Sequence, residues 1–257
     1  MKNNLIQLEM QDNLAILFMN NPPNNLINNQ FLDSLQKNIR NAEKNKARAL
    51  LITSKIKHFC AGADPDFFLK NSSKKKQDPM RLIRIMESVK IPSVAAIKGA
   101  ALGGGFELAL GCDFIIAADT SRIGLVETSV GLIPLSGGVQ RLINRVGSAR
   151  TKEIAMFGRR YDARTLENWG AINMVVPELN LLDASIAFSK QLSNGPTNAL
   201  KEIKKIADNT VMYGIKKADT EVKKSIKNVL KSSDAKIGIN FLAGKEKKIN
   251  FKGAFHE

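Results

Sequence analysis

Short apolar runs separated by helix-length amphipathic stretches constrain this chain's fold more than any other feature. NLIQLEMQ alternates polar and apolar residues and LAILFM is a short apolar run, so the chain opens as two strands around a turn at Gln11-Asp12-Asn13. NNPPNNLINN is a loop of turn formers, after which Phe31, Leu32, Leu35, Ile39 and Ala42 recur at helical spacing. ARALLITS reads as a buried strand, KIKHFCAGADPDFF as a loop, and KNSSKKKQD as an exposed, mobile connection. A helix over Met80 to Val89 leads through Pro92 to the strand SVAAIK. A glycine run follows that strand directly, and FELALG continues as a helix. DFIIAAD is a strand, GVQRLINRVG, SARTKEIAMFG and DARTLENWG are helices, and INMVVP is a last strand ended by Pro177. From Leu181 onward the pattern is helical with lysine-rich faces, punctuated by Gly195-Pro196. No internal repeat is visible. Strand–helix alternation to about Pro177, then helices alone, predicts an α/β fold with a helical C-terminal part.

A chain of 257 residues can bury a sizeable core, as one large domain or one domain with a smaller appendage. Met1 to Asp12 carries no signal-peptide pattern, and the longest apolar region, Ile91 to Ala118, is interrupted by Lys98, Glu107 and Asp113, so no membrane span is expected. Two cysteines exclude a disulfide framework and point to a reducing cytoplasm. Two histidines and two cysteines without ligand spacing supply no metal site. The net charge of +15 is high, and from Lys201 to Glu257 there are 14 lysines, no arginine and 7 acids. Such a balance suits nucleic acid, an anionic membrane surface or a phosphate-bearing substrate, or else a solvated helical face. RNA binding through the lysine-rich C-terminal helices is the non-enzymatic reading; the low aromatic content of 6% and the lack of a recognition motif weigh against it.

The glycine run in AIKGAALGGGFELALGCD costs backbone entropy and contributes no side-chain packing. No Gly-Lys-Ser/Thr follows it, so it is not a P-loop, and Leu108 stands where the dinucleotide fingerprint needs its third glycine. A strand, three glycines and a helix N-terminus remain. Free N–H groups there favour negative charge and, without Cβ atoms, let a ligand oxygen approach, as an oxyanion hole requires. Close helix–strand packing is the structural alternative. Glu107, between Phe106 and Leu108, and Glu127, in GLVETSVGLIP, are carboxylates in apolar surroundings that together would make an acid/base pair. His58 and Cys60 are two residues apart and form no dyad on a helix; Cys60 reads as a small core residue.

HFCAGAD, AAIKGAALGGGFELALGCDFIIAAD and GLVETSVGLIPLSGGVQRL together resemble the enoyl-CoA hydratase/isomerase family, the crotonase superfamily. NPPNNLI, YDARTLENWGAINMVVP and FLAGKEKKINFKG resemble its early loop, its later glycine-containing segment and its C-terminal segment, so the likeness spans nearly the whole chain. It implies a crotonase-like spiral of ββα units over residues 1–195 holding an acyl-CoA site, and a helical trimerisation region over 196–257. It implies a homo-oligomer, trimer or hexamer, and a coenzyme A thioester substrate, with no cofactor beyond the substrate's own coenzyme A; the residues themselves give no metal and no membrane span and weigh against nucleic acid. By position, the oxyanion donors are the backbone N–H groups of Ala63 and Gly104, and the catalytic glutamates are Glu107 and Glu127. Coenzyme A lies along Lys57 and the loop of Cys60, Ala61, Asp64, Pro65 and Asp66, with Gly103 and Leu135 in the substrate site and Lys252 reaching in from a neighbouring subunit. Val126, Leu135 and Ser136 depart from the family's usual small residues or proline, Leu135 narrowing the acyl pocket. Asp66 stands where a basic residue commonly contacts the coenzyme. The implied activity is hydration of a trans-2-enoyl-CoA in fatty-acid β-oxidation, with Δ3,Δ2-enoyl-CoA isomerisation as the alternative.

Overall fold

The computed structural model describes residues 5–66 and 78–253. Strands β1 (Ile6–Gln11) and β2 (Leu14–Met19) pair antiparallel across a two-residue turn in which Asp12 takes a left-handed backbone, φ 54°. Every later strand of this sheet joins in parallel: β3 (Ala49–Ser54), β4 (Ser93–Ile97), β6 (Phe114–Ala118) and β9 (Met174–Val176), in the order β1-β2-β3-β4-β6-β9. β2, β3, β4 and β6 read as near-continuous apolar runs because both of their faces are covered, whereas β1 at the edge alternates. Leu50, Ile52, Ala95, Ile97, Ile115 and Ala117 point into the main core, with helices α1 (Asn29–Lys44) and α2 (Arg81–Glu87). Their neighbours Ala49, Leu51, Val94, Ala96, Ile116 and Ala118 form a second cluster with Ile186, Phe188 and Leu192. Helix α1 buries the same Phe31, Leu32, Leu35, Ile39 and Ala42 that its periodicity singles out, and Asn28 caps it by accepting from the Phe31 N–H.

A second, three-stranded sheet consists of β5 (Ala100–Leu102), β7 (Arg122–Gly124) and β8 (Tyr161–Asp162). It corrects one sequence expectation. The glycine run does not follow β4 directly: the chain turns at Gly99, forms β5 in the other sheet, and only then enters helix α3 (Gly104–Leu110). Gly99 has φ +58°, and a Cβ there would lie 2.5 Å from the Lys57 carbonyl oxygen, so only glycine makes this turn. Three residues are too few for periodicity to reveal β5. The two helices expected on either side of Gly147 are both present: the run α4 (Gly138–Phe157) is interrupted at Gly147, which leaves helical geometry at φ 74°, ψ 173°.

Short α5 (Ala163–Asn168), capped by Asp162, leads to β9, after which helices follow one another: α6 (Leu181–Ser193), which covers the second face of the main sheet, α7 (Thr197–Tyr213), α8 (Ile215–Leu230) and α9 (Ser233–Leu242). The buried Arg48 ties this part to the sheet, donating to Thr197 Oγ1 at 2.7 Å, Gly195 O at 2.5 Å and Phe251 O at 3.3 Å. Asp234 accepts from the N–H groups of Lys252 and Gly253, holding the last turn of chain against the same arginine. Among the described residues no helix is long and apolar enough to cross a membrane. The stretch KNSSKKKQD falls, up to Gln77, outside the described residues.

Candidate active site

A cavity of about 310 Å³ opens where β5, α3, the Ala61–Ala63 loop and the segment Val126–Ser136 meet. Its wall is mostly apolar (Ile27, Leu32, Leu82, Leu102, Ile133 and Leu135 among others), and Glu107 and Glu127 both face it.

The glycines have separate duties. Gly103 caps α3 at φ +51°, and a Cβ on it would stand 3.0 Å from Glu127 Oε1, so the bare backbone gives that carboxylate its seat. Gly104 is the first residue of α3, where the N–H has no partner inside the helix. A Cβ on it would meet only ordinary contacts, 3.4 Å to Ile27, 3.6 Å to the Ala63 nitrogen and 3.9 Å to Glu107 Oε2. Gly105 is packing: a Cβ would collide with Cys60 O at 2.1 Å. Of the two sequence readings of the run, close packing describes Gly105, while at Gly104 the backbone stays open beside the cavity.

Ala63 is positioned by a single parallel bridge to Ile27. Ile27 donates to Gly62 O and accepts from the Asp64 N–H, both at 2.9 Å. In a bridge of this kind the middle residue's own N–H points away from the partner. Ala63 therefore turns its N–H away from Ile27, and its nitrogen lies 3.6 Å from where a Cβ on Gly104 would stand.

Glu107 is 2% exposed. Its Oε1 accepts from the N–H groups of Ser136 at 2.8 Å and Gly138 at 2.9 Å. Gly138 opens α4 and Gly137 precedes it in a left-handed conformation, so the carboxylate sits on that helix's N-terminus, where unpaired N–H groups and the dipole favour an anion. Burial pushes the Glu107 carboxyl above its ordinary value; the N–H groups of Gly138 and Ser136 and the nearby Arg141 charge oppose the shift. A Cβ on Gly138 would lie 2.8 Å from Glu107 Cγ. These backbone donors were not identified from sequence, although Gly137-Gly138 ahead of an apolar helix is their signal.

Glu127 begins a single 3-10 turn, Glu127–Val130. Its Oε2 is buried and has no hydrogen-bond partner among the described residues. Burial, with the Glu107 charge adding to it, raises this carboxyl from 4.5 to about 7.

Of the other expected site residues, Ala61, Gly103 and Leu135 line the cavity. Cys60 does not, and its side chain lies in the core, as its reading as a small core residue expects. It is fully buried, its N–H and carbonyl pair with Ala100 and Leu102, its thiol donates to Asn25 O at 3.0 Å, and burial pushes the thiol up to about 12. Lys57, Pro65, Asp66 and Lys252 are exposed and stand outside the cavity wall. Asp64 is also outside the wall, half-buried, its carboxylate accepting from Asn28 Nδ2 and the Asp66 N–H.

Residues 9–253 match the family model described as enoyl-CoA hydratase/isomerase. The chain belongs to the enoyl-CoA hydratase/isomerase family. Among its relatives is a protein named probable enoyl-CoA hydratase from Bacillus subtilis, 29% identical over 97% of this chain and 99% of the relative. Another, named probable enoyl-CoA hydratase 2, mitochondrial, from Arabidopsis thaliana, is 37% identical over 72% of this chain and 63% of its own length. The crystal structure of enoyl-CoA hydratase from Bacillus anthracis is similar with a TM-score of 0.87 at 28% identity, covering 97% of this chain and 100% of that one. The fold is therefore the crotonase fold, mixed α/β with several C-terminal helices, as the resemblance implied.

Proposed function

We propose that this family member is an enoyl-CoA hydratase, adding water across the 2,3 double bond of a trans-2-enoyl-CoA. One observation supports the reading: two carboxylates, Glu107 and Glu127, line one mostly apolar cavity together with Ala63 and Gly104. The thioester oxygen would sit between the Ala63 and Gly104 N–H groups. They stabilise the enolate-like charge that develops there, each donor contributing about 3–4 kcal/mol in the transition state. The apolar wall takes the acyl chain and excludes bulk water, which strengthens those hydrogen bonds.

Glu107, anchored through Oε1, keeps Oε2 toward Gly104 as a proton acceptor. Glu127, titrating near neutrality with an unpartnered Oε2, suits a proton donor. A water held between them adds its oxygen to Cβ and gives its proton to Glu107, while Glu127 delivers a proton to Cα. Proton exchange between the carboxyls through the next water restores the starting state. The exposed Lys57, with Lys252 of a neighbouring copy, offers charge to the coenzyme phosphates, and the protein works as a homo-oligomer, trimer or hexamer.

Glu107→Gln and Glu127→Gln should each lower crotonyl-CoA hydration by about 10²-fold or more. Substrate affinity should change far less, since the oxyanion donors are backbone groups. An enzyme that isomerises 3-hexenoyl-CoA and keeps that activity in Glu107→Gln while losing it in Glu127→Gln would be the isomerase instead.

A further inference from the structure

Helix α8 carries three distinct faces. Ala218 and Ser225 are buried toward α7, where Ser225 Oγ and Asn228 Nδ2 both donate to Glu202. Ile215, Ile226 and Leu230 form an exposed apolar strip. The third face is lysine with a single threonine. At an advance of about 100° per residue, Lys216, Lys217, Lys223, Lys224, Lys227 and Lys231 fall within an arc of about 120°, centred about 150° from the buried side. Only Thr220 shares that arc, and the acids Asp219 and Glu221 lie outside it on opposite sides. All six lysines are exposed. Lys224 has one acid nearby, Glu221 Oε1 at 3.8 Å, and the other five make no ion pair among the described residues. The row is about 22 Å long. None of its members lines the cavity.

We propose that this face of α8 docks the protein on an anionic lipid bilayer. Like charges aligned on one rigid face repel one another, so the row costs stability unless an opposing charge is brought to it. The choice between polyanions follows from the side chains used. Arginine's planar fork and aromatic platforms are the chemistry of nucleic-acid recognition, and the arc holds neither; from Lys201 to the last residue there is no arginine. Compact ammonium groups on a solvent-facing helix suit a diffuse layer of lipid phosphates, which needs no geometric match. The apolar span that a membrane protein needs is not required, because the lysines act from outside the bilayer.

The test is co-sedimentation of the full-length protein with phosphatidylcholine vesicles, with and without about one-third phosphatidylglycerol. A variant carrying Lys216→Gln, Lys217→Gln, Lys223→Gln and Lys227→Gln keeps helix-forming residues on a face that packs against nothing. The wild type should pellet with anionic vesicles only and release as salt rises, and the variant should lose at least about tenfold in partitioning with an unchanged circular dichroism spectrum. Equal pelleting with both vesicles, or an unaffected variant, overturns the proposal. So does failure to bind vesicles alongside an oligoribonucleotide bound in physiological salt and lost in the variant, which would assign the face to nucleic acid.

Discussion

At the scale of single residues, the two glutamates meet burial in different ways. Glu107 exchanges water for two backbone N–H groups at a helix terminus, whereas Glu127 leaves one oxygen unpartnered. The second arrangement has a measurable thermodynamic consequence. Glu127 titrates near 7 when folded and near 4.5 when unfolded. Between those values the folded state binds more protons, so the stability it contributes is complete below 4.5 and is lost as pH rises through about 7. Glu127→Gln carries no such charge. Its melting temperature should match the wild type at about pH 4 and exceed it at about pH 8, as thermal denaturation across that range would read. A difference that stays constant with pH would mean that the carboxyl is not desolvated.

At the scale of elements, the turn from β5 into α3 separates stability from chemistry over adjacent residues. Gly105→Ala forces a Cβ to 2.1 Å from the Cys60 carbonyl, and backbone cannot yield as a flexible side chain does. That variant should lose several kcal/mol and fold poorly. Gly104→Ala places its methyl at ordinary contact distance, between the Ala63 nitrogen and Glu107. It should melt within a few degrees of the wild type yet lose about 10²-fold or more in turnover, because the methyl occupies the thioester oxygen's approach. Paired melting and rate measurements check both. A Gly104→Ala enzyme of full activity would remove Gly104 from the proposed oxyanion site.

At the scale of the whole molecule, the C-terminal helices expose apolar side chains that a lone chain has no reason to keep. Ile203, Met212, Ile215, Leu230 and Leu242 are 61%, 59%, 69%, 55% and 85% exposed. Exposed apolar side chains in this number on α7, α8 and α9 are what an interface with another copy would cover. Light scattering at micromolar concentration should give a trimer or hexamer, and the double variant Ile215→Glu, Leu230→Glu should shift it toward the monomer. A wild type that scatters as a monomer would leave the surface without a partner copy.

Sequence alone determined the alternation of strands and helices, the helical C-terminal part and the family, because these rest on local periodicity and on motifs contiguous in the chain. Phe31, Leu32, Leu35, Ile39 and Ala42 are core in the structure because their spacing lets one helix face bury them together. Sequence also singled out Glu107 and Glu127 as carboxylates out of place, since burial of a charge is legible as apolar neighbours. Only the tertiary structure decided what surrounds them. The Ser136 and Gly138 N–H groups reach Glu107 from 29 and 31 residues away, and the duties of Gly103, Gly104 and Gly105 differ through contacts with Glu127, Ala63 and Cys60. β5 escaped notice because three residues carry no period, and the pairing of both Cys60 backbone groups with that strand was invisible for the same reason. Local pattern reports which face of an element is buried; which distant backbone supplies its hydrogen bonds is set only when the sheets and helices close over the cavity.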